Sequence, residues 1–174
     1  MSKLGLHRLV AAHVATLKNY GSGNYSPADF LTFYGLPALV ALAALVYAGA
    51  PGESFGTCLV LFAGLMAVAL LVAFVLIFQL SSAVKANATT QGPFYETGER
   101  LLGESNANAA YALAVALLLA AASIAYNTFA AGATSVPARL AAFVCTYVAA
   151  HLLLTLFMVV KRVNVLLGQY IKAD

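Results

Sequence analysis

Leu140 to Val160 is a run of twenty-one residues without an acid, a lysine or an arginine, flanked by Arg139 on one side and Lys161-Arg162 on the other. As a helix rising about 1.5 Å per residue, it is long enough to cross a hydrocarbon core roughly 30 Å thick. Inside such a core no water satisfies backbone N–H and C=O groups, so the run must close its own hydrogen bonds as a helix. His151 lies in its middle. It is the only side chain able to carry a charge near neutral pH that is set well inside an apolar run of this chain.

Three further apolar runs accompany it. Charged residues are 9% of the 174-residue chain and hydrophobic residues 63%, against roughly a quarter charged in an average soluble domain. One soluble core of this size could not cover that much apolar surface, so a bilayer must cover part of it. The expected fold is an all-α membrane protein with four transmembrane helices, spanning about 27–48, 54–82, 106–130 and 137–162. Residues 1–25 form an amphipathic helix and hinge ahead of the transmembrane domain 26–174, and 85–104 is a polar loop.

Leu6, Leu9, Val10, His13, Val14 and Leu17 recur at helical spacing, with Lys3, Arg8 and Lys18 mostly off that face. Such a helix suits the membrane interface or a partner's surface. His7 and His13, six apart, do not share a face as a ligand pair. Gly21 and Gly23 mark the hinge. No apolar core lies near Met1, so a cleavable signal is not expected.

Ser26-Pro27-Ala28-Asp29 is a helix start: a capping serine, proline at the first helical position, and an acid near the positive end. Pro37 removes one backbone hydrogen bond inside the first span and predicts a kink, with the freed carbonyl satisfied by neighbours or by local distortion. Gly49 to Gly52 breaks the chain before the second span. Gly92-Pro93 forbids one helix from running into the next, and Thr97 to Leu102 is expected as a short surface helix. Gly132 and Pro137 keep the last link short.

Charge sets the threading. Eight of the nine cations precede the first span, lie between the second and third, or follow the fourth; Arg139 alone lies on the other side. The positive-inside rule therefore predicts that both termini, the N-terminal helix and the 85–104 loop are cytoplasmic. The net charge of +3 is spread over span ends and forms no basic patch, so nucleic acid is not an expected partner.

Catalytic signatures are lacking. No histidine–acid group has metal spacing, no glycine-rich phosphate loop opens a helix, and Cys58 and Cys145 form no Cys-x-x-Cys pair. The six acids lie at or beyond span ends. Neither an enzyme nor a metal or cofactor site is expected. What remains is a polar stripe and a packing stripe. Tyr147, His151, Thr155, Met158 and Arg162 share one face of the fourth helix. That face lines a water-accessible path or a subunit contact, or else His151 merely bonds a neighbouring helix. Ala109, Ala112, Ala116, Ala120, Ser123 and Asn127 form a face of small and polar residues on the third, suited to close helix contact. Gln79, Ser81, Ser82 and Asn127 at span ends read as interfacial anchors, as do Phe30, Phe33, Tyr34 and Tyr47.

The order of elements carries a resemblance. A first span opening Asp29-Phe30-Leu31-Thr32-Phe33-Tyr34-Gly35-Leu36-Pro37 leads by a tight link to a longer second span and a polar cytoplasmic segment. Two closely spaced spans follow, closing on Leu152-Leu153-Leu154-Thr155-Leu156-Phe157-Met158-Val159-Val160-Lys161-Arg162-Val163. This arrangement resembles the small prokaryotic four-pass membrane proteins of phage-defence modules, RexB-type phage-exclusion proteins among them. The resemblance implies an oligomeric, channel-like or membrane-disrupting effector in the plasma membrane, controlled by a cytosolic sensor. The alternative is a non-catalytic anchor or receptor that recruits a cytosolic partner through the N-terminal helix and the 85–104 segment.

Overall fold

The computed structural model describes residues 5–18, 24–47, 52, 54–86, 93–130, 133 and 135–171. Residues 19–23 of the expected hinge at 19–25, residues 49–51 of the expected break after the first span, Gly92, Gly132 and both extreme termini lie outside them. Helix α1 runs from Leu6 to Ala15. The first span comprises α2 (Pro27–Phe30), a π-helical turn (Leu31–Gly35) and α3 (Leu36–Tyr47). Three long helices follow: α4 (Phe55–Ala86), α5 (Pro93–Phe129) and α6 (Val136–Ile171). Four segments are long and apolar enough to cross a membrane, namely Pro27–Tyr47, Phe55–Ser82, Thr97–Phe129 and Val136–Gly168. This is a multi-pass, all-helical membrane protein.

The first span starts as its residues dictate. Ser26 Oγ accepts from the Asp29 N–H at 3.3 Å and Pro27 opens the helix. One turn before Pro37 the backbone widens into the π turn. Such a turn accommodates a disrupted ladder without stopping the helix.

Buried positions on α4 (Ala63, Met66, Leu70, Ala73, Ile77 and Leu80) alternate three and four apart. On α5 the sequence Leu102, Ser105, Ala109, Ala112, Ala116, Leu119, Ser123 and Tyr126 does the same. This 3.5-residue period is the seam of two helices that wrap around each other. It takes in Leu119 and leaves Ala120 only partly buried, because a strict seam drifts off the 3.6-residue face read from the alanines. The α4–α5 contact is the most extensive in the molecule, and α6 packs on α3, α4 and α5. Near one end, a Cβ placed on Gly56 would overlap the Asn127 amide and come within 3.0 Å of the Ser123 carbonyl oxygen. Asn127 also donates to Thr57 Oγ1 at 3.2 Å, so it joins two helices there. The outward face of α4, with Leu61, Leu65, Val68, Val75 and Phe78, is exposed and apolar, as a lipid-facing surface is.

Two boundaries differ from the sequence expectation. Helix α5 begins at Pro93, well inside the 85–104 segment expected as a loop, and not near 106. Leu102 and Ser105 extend the buried seam into this polar stretch, and tertiary packing overrides its composition. Helix α6 continues past the span end at 162, as its sequence to Leu167 predicts, and beyond that through Gly168 to Ile171, with Val163 and Leu166 still buried.

Candidate functional site: a buried polar file between α1, α5 and α6

Pro37 has no N–H, so the carbonyl four residues before it, Phe33, lacks its usual helical donor. His151 of α6 supplies one, its Nδ1 lying 2.8 Å from Phe33 O. A carbonyl can only accept, so Nδ1 carries the hydrogen. In the neutral ring Nε2 is then an acceptor, and the Tyr111 hydroxyl, 3.0 Å away, donates to it. His151 is 4% exposed and both of its nitrogens are committed. Tyr34 stacks against its ring at 5.2 Å, Tyr147 lies parallel at 6.3 Å, and Tyr111 meets it edge-on at 5.7 Å.

The file continues through α1. His13 stacks face to face on Tyr111, centroids 4.1 Å apart, and stands edge-on to His151 at 5.8 Å. Its Nδ1 is 2.8 Å from Asn108 Oδ1. The Thr16 hydroxyl donates to His13 O at 2.7 Å and also lies 3.1 Å from Asn108 Oδ1. Thr16 O accepts from Arg162 Nη2 at 3.0 Å, and the same Nη2 lies 3.3 Å from Glu104. Arg100 pairs with Glu104 at 3.9 Å one turn earlier on α5. Groups from the two helix ends that carry these charges thus connect by polar contacts to the interior at His151.

His13 of α1 and Leu17, just beyond its C-terminal end, are buried, whereas Val10 is 46% exposed. The helix is docked into the bundle by a histidine and one leucine. Burial lowers the His13 imidazole to about 4, and the nearby His151 and Arg162 add to that effect against the Asn108 hydrogen bond. At neutral pH it is an uncharged, fully buried ring.

Three polar atoms along the file have no partner among the described residues, namely His13 Nε2, Asn108 Nδ2 and Arg162 Nη1, and Ser105 Oγ on the α4–α5 seam also has none. Exchanging the Asn108 amide nitrogen and oxygen still leaves His13 Nε2 and one Asn108 atom unsatisfied. Unpaired buried polar groups each cost about 1–3 kcal/mol, so a file of them fits water entry better than dry packing.

The polar stripe expected on α6 is therefore divided. Tyr147 and His151 line a cleft of about 260 Å³ that also takes in Tyr34 and Tyr111 and is otherwise apolar. Thr155 is fully buried and spends its hydroxyl on the His151 carbonyl at 2.9 Å. Arg162 lies beyond it, bonded to Thr16 and Glu104. On α5, Ala109, Ala112, Ala116 and Ser123 face the helix contact, and Ser123 bonds its own Leu119 carbonyl. Sequence reasoning missed Asn108, Tyr111, Glu104 and the inward role of His13. Two signals were present: His13 interrupts the apolar face of α1, and Phe33 is the carbonyl that Pro37 orphans. Among the described residues, histidine, cysteine and acids nowhere gather in threes as metal ligands do. No family model, curated protein or solved structure matches the chain.

Proposed function

We propose that the protein is a channel-like membrane effector, and that the polar file between α1, α5 and α6 is the cytoplasmic half of its conduction path. One observation carries this reading: along the file His13, Asn108 and Arg162 keep polar atoms that are unpartnered among the described residues, and an ion- or water-conducting state would satisfy them. Beyond His151 the lining turns apolar, with Val115, Leu119, Val144 and Val148. A complete path therefore requires a homo-oligomer or a rearranged helix pair. In this reading α1 is the gate. Its hold on the bundle rests on His13, Thr16 and Leu17, and a cytosolic sensor that pulled it away would open the file. Both termini are cytoplasmic, the membrane is the prokaryotic plasma membrane, and the biological setting is a phage-defence module.

Ion efflux from proteoliposomes tests the proposal. Leu17→Asp, which undocks α1, is expected to raise potassium efflux above wild type, and Asn108→Leu in that background to reduce it. If neither wild type nor Leu17→Asp exceeds empty vesicles, the effector reading fails and the recruiting anchor takes its place. Orientation has its own test: reporters at Met1 and Asp174 are expected on the cytoplasmic side, and those at Gly52 and Ala133 outside.

A further inference from the structure

The cleft beside His151 has a chemistry of its own. Its polar wall consists of Tyr34, Tyr111, Tyr147 and His151, and no charged side chain lines it. The Tyr111 hydroxyl and both His151 nitrogens are committed. The hydroxyls of Tyr34 and Tyr147 make no hydrogen bond among the described residues. Tyr147 lies eight residues from Arg139 and fourteen from Lys161 on α6, roughly 12 and 21 Å along the axis. At that depth hydrocarbon offers a phenol no partner, and an unsatisfied hydroxyl is costly.

The shape narrows the occupant. The rings of Tyr34 and Tyr147 lie within 26° and 2° of the His151 plane, so the wall presents flat aromatic faces at similar orientation. A cleft of about 260 Å³ is slightly smaller than the range of roughly 300–1,000 Å³ for drug-sized ligands. It suits one planar head with its tail in the bilayer and is too small for a two-chain lipid. The absence of charge from the lining disfavours an ionised ligand, which would be buried without a counter-ion.

We infer that this cleft binds a neutral, membrane-dissolved ring bearing carbonyl oxygens, of the quinone class, with the Tyr34 and Tyr147 hydroxyls donating to a ring carbonyl. The site is separate from the charged end of the polar file and its occupancy does not depend on whether the chain conducts.

The test is calorimetric titration of the purified full chain in nanodiscs with 2-methyl-1,4-naphthoquinone. Saturable binding near one ring per chain is expected. Tyr34→Phe with Tyr147→Phe should weaken it about tenfold, the worth of roughly one hydrogen bond to a neutral group. Val148→Phe, which fills the cleft, should abolish it, and Tyr47→Phe, 89% exposed outside the cleft, should leave it unchanged. Thermal melting of each variant identifies any that is misfolded. Should the double variant misfold, the single Tyr147→Phe and Val148→Phe decide the matter. Overturning results are linear partitioning with no saturation, full affinity in the phenylalanine variants, or displacement of the quinone by equimolar monoolein, which would assign the cleft to a lipid ester.

Discussion

His151 Nδ1 lies 2.8 Å from the carbonyl oxygen of Phe33, four residues before Pro37, where the proline offers no N–H. A proline in the first span and a histidine in the fourth are therefore two halves of one device. The helix loses an internal bond, and a side chain from across the bundle replaces it.

That pairing predicts a coupling. His151→Leu strips partners from Phe33 O and from the Tyr111 hydroxyl and should destabilise the protein by about 2–4 kcal/mol. Pro37→Ala restores an N–H within reach of Phe33 O, so the double variant should lose less than the two single losses combined. Thermal unfolding in detergent measures all four corners of the cycle. Strict additivity would show that the two residues act independently.

Close approach of α4 and α5 is tested at two glycines. A Cβ at Gly56 collides with the Asn127 amide, whereas one at Gly64 meets nothing within 4 Å. Gly56→Ala should cost about 1–3 kcal/mol through overpacking. Gly64→Ala should be neutral or stabilise by up to about 1 kcal/mol through helix propensity. Melting temperatures of the two variants should shift in different directions or by clearly different amounts.

The seam itself predicts an asymmetry. Ala116 is 1% exposed at the α5 contact, while Ala114 lies on another face and is only partly buried. Ala116→Leu forces two backbones apart and should lower stability by several degrees of melting temperature; Ala114→Leu should be milder. Equal tolerance of both would remove the seam from the account of stability.

Acid should loosen α1. The folded His13 titrates at about 4, below the ordinary 6.5, so the unfolded or undocked helix binds a proton that the docked one refuses. Stability from this group is complete above about pH 6.5 and falls as the pH drops toward 4, by on the order of 3 kcal/mol in all. The opposing charges are in place: Arg162 and His151 disfavour an imidazolium at His13, and Glu104 is already engaged by Arg162. Protease accessibility of the α1–α2 link between pH 7.5 and 4.5 should rise in wild type. In His13→Phe, which removes the proton site, the rise should be smaller.

Removing an orphan atom should help the fold and not harm it. Ser105 Oγ is fully buried and has no partner among the described residues. Ser105→Ala should be neutral or raise the melting temperature, since it deletes an unsatisfied hydroxyl at little change in volume. A clear loss of stability would mean that an ordered water holds that hydroxyl in the folded protein.

By itself the sequence determined the elements. Four apolar runs of membrane length, the Ser26-Pro27-Asp29 start, the break at Pro37 and the small residues of α5 are all local properties. Bilayer thickness and backbone hydrogen bonding translate them directly into helices. It also determined that Pro37 frees a backbone carbonyl one turn earlier, to be satisfied by a neighbour or by local distortion, because proline has no N–H whatever the fold. Which donor would come was a tertiary decision, taken across 118 residues by His151. The docking of His13 on Asn108, 95 residues away, was another. A helix of ten residues can lie on a membrane or plug a bundle with the same local pattern, because apolar side chains are indifferent to what covers them. Only the packed neighbours, with their particular unpaired donors and acceptors, discriminate between the two, and those neighbours come together only when α1, α5 and α6 meet.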